Sequence, residues 1–287
     1  MTQLGQALLD ATRRLAAAGV PSARHDAESL AAHVLGLTRP EVAMLALRGD
    51  SIEVDHRFGD LVDERARRVP LQHLVGTAAF RDLILDVGPG VFVPRPETEV
   101  VAEQAVAEAA RLASSGGQPC VVDLCTGSGA IAVAVATEVP GAVVHAVELS
   151  VEAHAWAQQN IERLAPGLDL RLGDAASAFR ELDGTVDVVV SNPPYVPPGA
   201  VPVDPEVRDH DPAVALYGGG ADGLEVPRAV VRAAARLLRA GGLLVVEHAD
   251  VQQDALLRSL SASGQWTSKA GHRDLTGRPR YVTARRG

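Results

Sequence analysis

The sequence predicts a doubly wound α/β sheet preceded by a small helical N-terminal domain and a linker hairpin. Three observations carry that prediction. From Val91 onward, continuous apolar runs alternate with amphipathic stretches, as parallel strands covered on both faces require. Before about residue 70 the apolar spacing is helical. Between the two, a β-rich run ends in the turn Gly88-Pro89-Gly90. The expected boundaries are 1–70 for the helical domain, 71–95 for the linker with its hairpin, and 96–287 for the α/β domain.

In chain order, Leu4, Leu8 and Leu15 place a helix over residues 3–18, closed by Gly19 with Pro21 beyond it. A second helix is expected from Ala23 to Leu35. Thr38-Arg39-Pro40-Glu41 has capping-box spacing with proline in the first turn, so a third helix starts there. A fourth, charged helix is expected from Val54 to Arg68, stopped by Pro70, and a strand from Phe80 to Val87. Buried strands follow at residues 121–124, 142–147, 168–172, 186–190 and 243–246, with helices at Ala130–Glu138, Val151–Leu164 and Glu225–Ala240 between them. Residues 266–270 and 281–284 are candidates for final, antiparallel strands.

Composition narrows the function. With 47% hydrophobic residues, 287 residues bury a sizeable core. The net charge is −9, with the acidity in the C-terminal part, and the basic footprint expected of a duplex-binding protein is missing. The opening residues show no signal-peptide pattern and no run reaches membrane-span length, so a cytoplasmic protein is expected. Cys120 and Cys125 read as small core residues, and no metal-ligand spacing is present.

Asn192-Pro193-Pro194-Tyr195 closes the apolar run at 186–190 with a polar tetrapeptide. The asparagine offers a carbonyl acceptor, and each proline fixes its own φ and extends the residue before it. A stiff set of acceptors of this kind suits a planar amino group, on an amide or a nucleobase. Asp123-Leu124-Cys125-Thr126-Gly127-Ser128-Gly129 closes the first strand and opens a helix, lacking both the third glycine of the dinucleotide fingerprint and the lysine of a phosphate loop. Glu148 ends the next strand, where an acid accepts ribose hydroxyls. Together these describe a site for a nucleoside carrying a small charged group, which fits S-adenosylmethionine. Asp174 is a candidate for the adenine amino group or, equally, the cap of a turn.

Assembled, these residues closely resemble the HemK/PrmC family of protein-(glutamine-N5) methyltransferases. The similarity also takes in Pro70 to Gly76, Phe92-Val93-Pro94-Arg95-Pro96-Glu97-Thr98-Glu99, Asp211 to Leu216, Gly219 to Leu224 and Asp274 to Arg278. It implies a class I methyltransferase sheet and S-adenosylmethionine bound by Asp123, Cys125, Thr126, Gly127, Ser128, Gly129, Glu148, Asp174, Ala175 and Asn192. It also implies a glutamine amide held by Asn192, Pro193, Pro194 and Tyr195, with Asn192, Pro193 and Tyr195 at the reacting nitrogen. The implied substrate is the Gly-Gly-Gln glutamine of peptide-chain release factors, met by a monomer that docks through its helical domain and binds neither nucleic acid nor membrane. Glu148 is one methylene longer than the family's usual aspartate, Ala175 replaces a larger residue, and residues 247–252 depart from the family pattern and are given no role. The alternatives are a ribosomal-protein glutamine methyltransferase, an adenine N6 methyltransferase and a non-enzymatic S-adenosylmethionine-binding protein.

Overall fold

The computed structural model describes residues 2–50 and 52–287. The chain forms two compact units, Met1–Thr77 with Pro202–His210, and Ala78–Val201 with Asp211–Gly287. In the first unit, helices Leu4–Ala17, Ala23–Leu35, Arg39–Arg48 and His56–Ala66 surround a core that includes Leu4, Leu8, Leu15, Leu30 and Phe58. The capping box forms as its spacing predicts: the Thr38 hydroxyl accepts from Glu41 N, and Glu41 Oε2 accepts from Thr38 N at 2.7 Å. The fourth helix starts later than Val54, because Glu53–Val54 pairs with Thr2–Gln3 and Asp55 caps the helix. Pro70 leads into a further short helix, Leu71–Val75.

A buried ion cluster ties segment 202–210 into this unit. Arg65 donates to Asp26 Oδ2 at 2.7 Å and to the Val69 carbonyl, and it pairs with Glu206 at 2.7 Å. Burial pushes the Glu206 carboxyl up, but hydrogen bonds from Arg68 and Arg65 win and hold it well below the usual range. Removing one member of such a cluster leaves its partners buried and uncompensated.

The second unit is built on a seven-stranded sheet: β1 (Cys120–Leu124), β2 (Val143–Glu148), β3 (Asp169–Leu172), β4 (Val186–Ser191), β5 (Leu238–Glu247), β6 (Trp266–Arg273) and β7 (Pro279–Arg286). Their spatial order is β6-β7-β5-β4-β1-β2-β3. The first five strands are mutually parallel, whereas β7 pairs antiparallel with both β5 and β6. Neighbouring residues point to opposite faces, so Val121 and Val188 enter one core while Val122 and Val189 enter the other. This is the doubly wound α/β sheet that the apolar runs predict, with the antiparallel strand β7 next to one edge.

Other differences from the sequence expectation have local causes. The run from Phe80 to Val87 is split into strands Thr77–Phe80 and Leu83–Asp86 by a turn at Arg81, whose φ is +51°. Arg81 is held there by Glu99, Glu103 and Glu138. The helix from Glu225 ends at Leu237 rather than Ala240, because Leu238 turns extended to pair with Val186. Helices Pro96–Ser114, Pro205–His210, Ala213–Leu216 and Gln253–Ala262 were not anticipated. Both cysteines are free, and Cys125 lies in the loop after β1 at φ +62°.

Arg65→Met is expected to destabilise the helical unit by roughly 3–5 kcal/mol by removing the guanidinium beside Asp26 and leaving Glu206 to Arg68 alone. Urea denaturation followed by circular dichroism measures the loss.

Candidate active site

Strand register brings the predicted residues to one edge. Leu124 lies opposite both Val147 and Ser191, Ser191 opposite Val246, and Glu148 opposite Leu172. The loops following β1, β2, β3, β4 and β5 therefore open side by side at the carboxyl ends of parallel strands, where the strand order reverses about β1. That reversal is where open α/β sheets bind ligands.

On one side lies the loop from Cys125 to Gly129. Thr126 N donates to the Val147 carbonyl at 3.0 Å, and the Thr126 hydroxyl donates to Asp123 Oδ2 at 2.6 Å. Asp123 Oδ2 also accepts from Ala132 N, inside the helix that the loop opens. Asp123 is fully buried, and burial pushes its carboxyl up to about 7. Ser128 is buried as well, and its carbonyl accepts from Asn160 Nδ2. Glu148 Oε2 accepts from Gly127 N at 2.8 Å, and Oε1 accepts from Leu149 N and Ser150 N at 2.9 Å. Burial raises the Glu148 pKa against the pull of these three N–H groups. Past β3, Asp174 is exposed and accepts from Ala176 N at 2.9 Å in a tight turn, while Ala175 packs in the apolar cluster with Leu124 and Val147.

On the other side stands the tetrapeptide. Asn192 is half-buried, and its Nδ2 donates to Thr98 Oγ1 at 3.2 Å. Pro193 is buried, and Pro194 and Tyr195 are half-buried. The Tyr195 hydroxyl donates to Glu247 Oε1 at 3.3 Å, and enclosure of the phenol pushes its pKa up. Gln252 Nε2 donates to the Tyr195 carbonyl at 2.8 Å and to the Asp222 carbonyl at 2.9 Å. Residues 247–252, given no role from sequence, thus brace the tetrapeptide from behind. The signal was present: Glu247 ends β5, Asn192 directly follows β4, and Thr98 sits inside the Pro94-Arg95-Pro96-Glu97-Thr98-Glu99 run.

Glycines complete the brace. Val196 N donates to the Leu216 carbonyl and Gly218 N to the Val196 carbonyl. A Cβ on Gly218 would lie 2.0 Å from the Gly223 carbonyl oxygen and 2.5 Å from that of Pro194. A Cβ on Gly223 would meet the Tyr195 carbonyl oxygen at 2.3 Å.

The chain matches the family described as PrmC N-terminal domain over residues 6–76 and the methyltransferase small domain over residues 97–204. It is 52% identical to the release factor glutamine methyltransferase of Streptomyces coelicolor, covering 96% of this chain and 95% of that one. The chain belongs to the release factor glutamine methyltransferase family. The Mycolicibacterium smegmatis member is 49% identical over 100% of this chain and 99% of its own. The 4-amino-L-phenylalanine/4-methylamino-L-phenylalanine methyltransferase of Streptomyces pristinaespiralis is 43% identical over 92% and 89%.

The cofactor of this methyltransferase family is S-adenosylmethionine, and the residues present suit it. A Cβ at Gly127 would meet nothing within 4 Å, so the loop has an open face, reached at φ +59°. Asp123 Oδ1 is a buried acceptor without a protein partner beside that loop. Glu148 has three acceptor sites occupied, leaving roughly one of a carboxylate's four for a hydroxyl.

Glu148→Ala is expected to weaken S-adenosylmethionine binding roughly 10–100-fold, the loss of about 1.5–3 kcal/mol for a hydrogen bond to a charged group. Isothermal titration reads it directly, and an unchanged Kd would leave Glu148 as a loop brace only. Gly218→Ala is expected to cost roughly 1–3 kcal/mol in overpacking and to lower turnover, as read by urea denaturation and initial rates.

Proposed function

We propose that the protein transfers the methyl group of S-adenosylmethionine to the side-chain amide nitrogen of the glutamine in the Gly-Gly-Gln motif of peptide-chain release factors. The observation that carries this reading is the orientation of Asn192. Its Nδ2 is committed to Thr98, so Oδ1 is the amide atom left to face a substrate, and the rigid prolines add the Pro193 carbonyl as a second acceptor. Two acceptors suit a nitrogen bearing two N–H bonds.

When bound, S-adenosylmethionine supplies a methyl group on a sulfonium, which leaves with the bonding pair as a neutral thioether. The amide nitrogen is a weak nucleophile because its lone pair is delocalised into the carbonyl. Asn192 Oδ1 and the Pro193 carbonyl grip the N–H bonds, favour a pyramidal nitrogen and stabilise the positive charge developing on it. The nitrogen gains a methyl group and then gives up one proton to water, so no strong base is needed. Holding the reacting atoms together accounts for about 7–11 kcal/mol in well-oriented systems. Asp123, Cys125 to Gly129 and Glu148 hold the cofactor in this reading, with Asp174 and Ala175 at the adenine end. Tyr195 walls the acceptor pocket, and the helical unit docks the protein substrate.

One relative is named for methylating the amino group of an aromatic amino acid. Of its two named acceptors, 4-amino-L-phenylalanine shares with glutamine a nitrogen bearing two N–H bonds, whereas 4-methylamino-L-phenylalanine bears one. With labelled S-adenosylmethionine, label is expected on intact release factor, and not on the same factor with its motif glutamine replaced, on ribosomal protein, on DNA or on 4-amino-L-phenylalanine. Label on any of the last four instead would overturn the assignment. Asn192→Ala is expected to keep S-adenosylmethionine binding within about threefold while lowering turnover at least roughly 100-fold, as shown by titration and rates on the same preparation.

A further inference from the structure

An asparagine side chain presents an acceptor on one side and a donor on the other, and the two orientations have nearly the same shape. Only one serves a methyl-accepting nitrogen that itself carries N–H bonds, because the other would set donor against donor. Something must decide between them.

Thr98 Oγ1 accepts the Asn192 Nδ2–H at 3.2 Å. A hydroxyl can accept from Asn192 in this way only while its own proton points elsewhere. Thr98 and Glu247 are both buried beside Asn192, and the nearby Thr98 hydroxyl favours the charged form of the Glu247 carboxylate. Glu247 is 1% exposed at the end of β5, and Tyr195 donates to its Oε1. Ser191 pairs with Val246, so Glu247 stands beside Asn192 across the two strands. The helix Pro96–Ser114 delivers Thr98 into the gap between them.

We propose that Thr98 and Glu247 are positioning residues that set which way the Asn192 amide faces. Thr98 takes the Nδ2–H, Glu247 keeps the Thr98 hydroxyl proton turned away from Asn192, and Oδ1 is thereby held toward the accepting nitrogen. The proposal rests on the role given to Asn192 above. An ionised Glu247 only accepts, which permits a single direction of hydrogen bonding from Asn192 through Thr98. A protonated Glu247 can donate to Thr98, freeing the hydroxyl to donate to Asn192 and making the reversed amide equally favourable.

The groups facing Glu247 define the titration. Burial pushes its carboxyl up to about 7 against the pull of the Thr98 hydroxyl, of Arg280 on β7 and of the Tyr195 hydroxyl, with Glu97 adding to the rise. Arg280 is itself paired with Asp274 at 3.0 Å. The carboxyl is therefore ionised above about pH 7 and protonated below it, so kcat is expected to fall as the pH drops through that value.

The test measures kcat, KM for release factor and S-adenosylmethionine affinity between about pH 5.5 and 9 for the wild type, Thr98→Val, Thr98→Ser, Glu247→Gln and Asn192→Ala. Thr98→Val is expected to lose roughly 10–100-fold in kcat through misorientation, with cofactor affinity and melting temperature unchanged and the acid limb gone. Thr98→Ser is expected to keep both the rate and the limb. Glu247→Gln is expected to be slower than the wild type above pH 7 and to show no acid limb, since its amide does not titrate and can donate to Thr98 as well as accept from it. A wild-type kcat in Thr98→Val, equal losses in the serine and valine variants, or an acid limb that survives Glu247→Gln overturns the proposal. Retained activity in Asn192→Ala instead overturns the underlying site assignment.

Discussion

Three carboxylates buried at the ends of parallel strands impose the constraint on which this site depends. Asp123, Glu148 and Glu247 are each under a tenth exposed, and a buried carboxylate without donors is costly. Each one accepts hydrogen bonds from a neighbouring loop or from the helix that such a loop opens. Asp123 draws in the Thr126 hydroxyl and Ala132 N, Glu148 draws in three consecutive-loop N–H groups, and Glu247 draws in the Tyr195 hydroxyl. The hydrogen bonds that these carboxylates accept thus also shape the site, while Asp123 Oδ1 and Glu247 Oε2 are left without a protein partner.

The tetrapeptide shows how rigidity is layered. Two prolines restrict the backbone locally, but they do not say where it goes. Gln252 fixes the Tyr195 carbonyl, and Gly218 and Gly223 let neighbouring backbone approach to distances that exclude any side chain. The segment from Ala213 to Leu224 is therefore a backing plate for Asn192 to Tyr195. A cradle that must hold a poor nucleophile gains from this, because little ordering remains to be done when the substrate arrives.

Much of this was legible in the sequence, for identifiable reasons. Ala23–Leu35, Ala130–Glu138 and Val151–Leu164 match their expected bounds because periodicity and end signals agree. The parallel sheet follows from runs that are apolar on both faces. What escaped depends on tertiary partners: the turn at Arg81 has no glycine and exists because three glutamates hold its side chain and backbone. The roles of Thr98, Glu247 and Gln252 needed strand register, since 149 positions separate Thr98 from Glu247 in the chain and only the pairing of Ser191 with Val246 sets Glu247 beside Asn192. Asp174 makes the turn-capping contact that one of its two readings expects.

Acceptor chemistry and acceptor identity are separable on this scaffold. In the proposed site, Asn192 Oδ1 and the Pro193 carbonyl would read a flat nitrogen and its N–H bonds, and nothing about what that nitrogen is attached to. Relatives at 43–52% identity carry names that span a protein glutamine and a free aromatic amino acid, as such a minimal reader permits. Discrimination between substrates must then come from surfaces that meet the rest of the acceptor. A change at the buried carboxylates would instead disturb the loop backbone that they hold by hydrogen bonds.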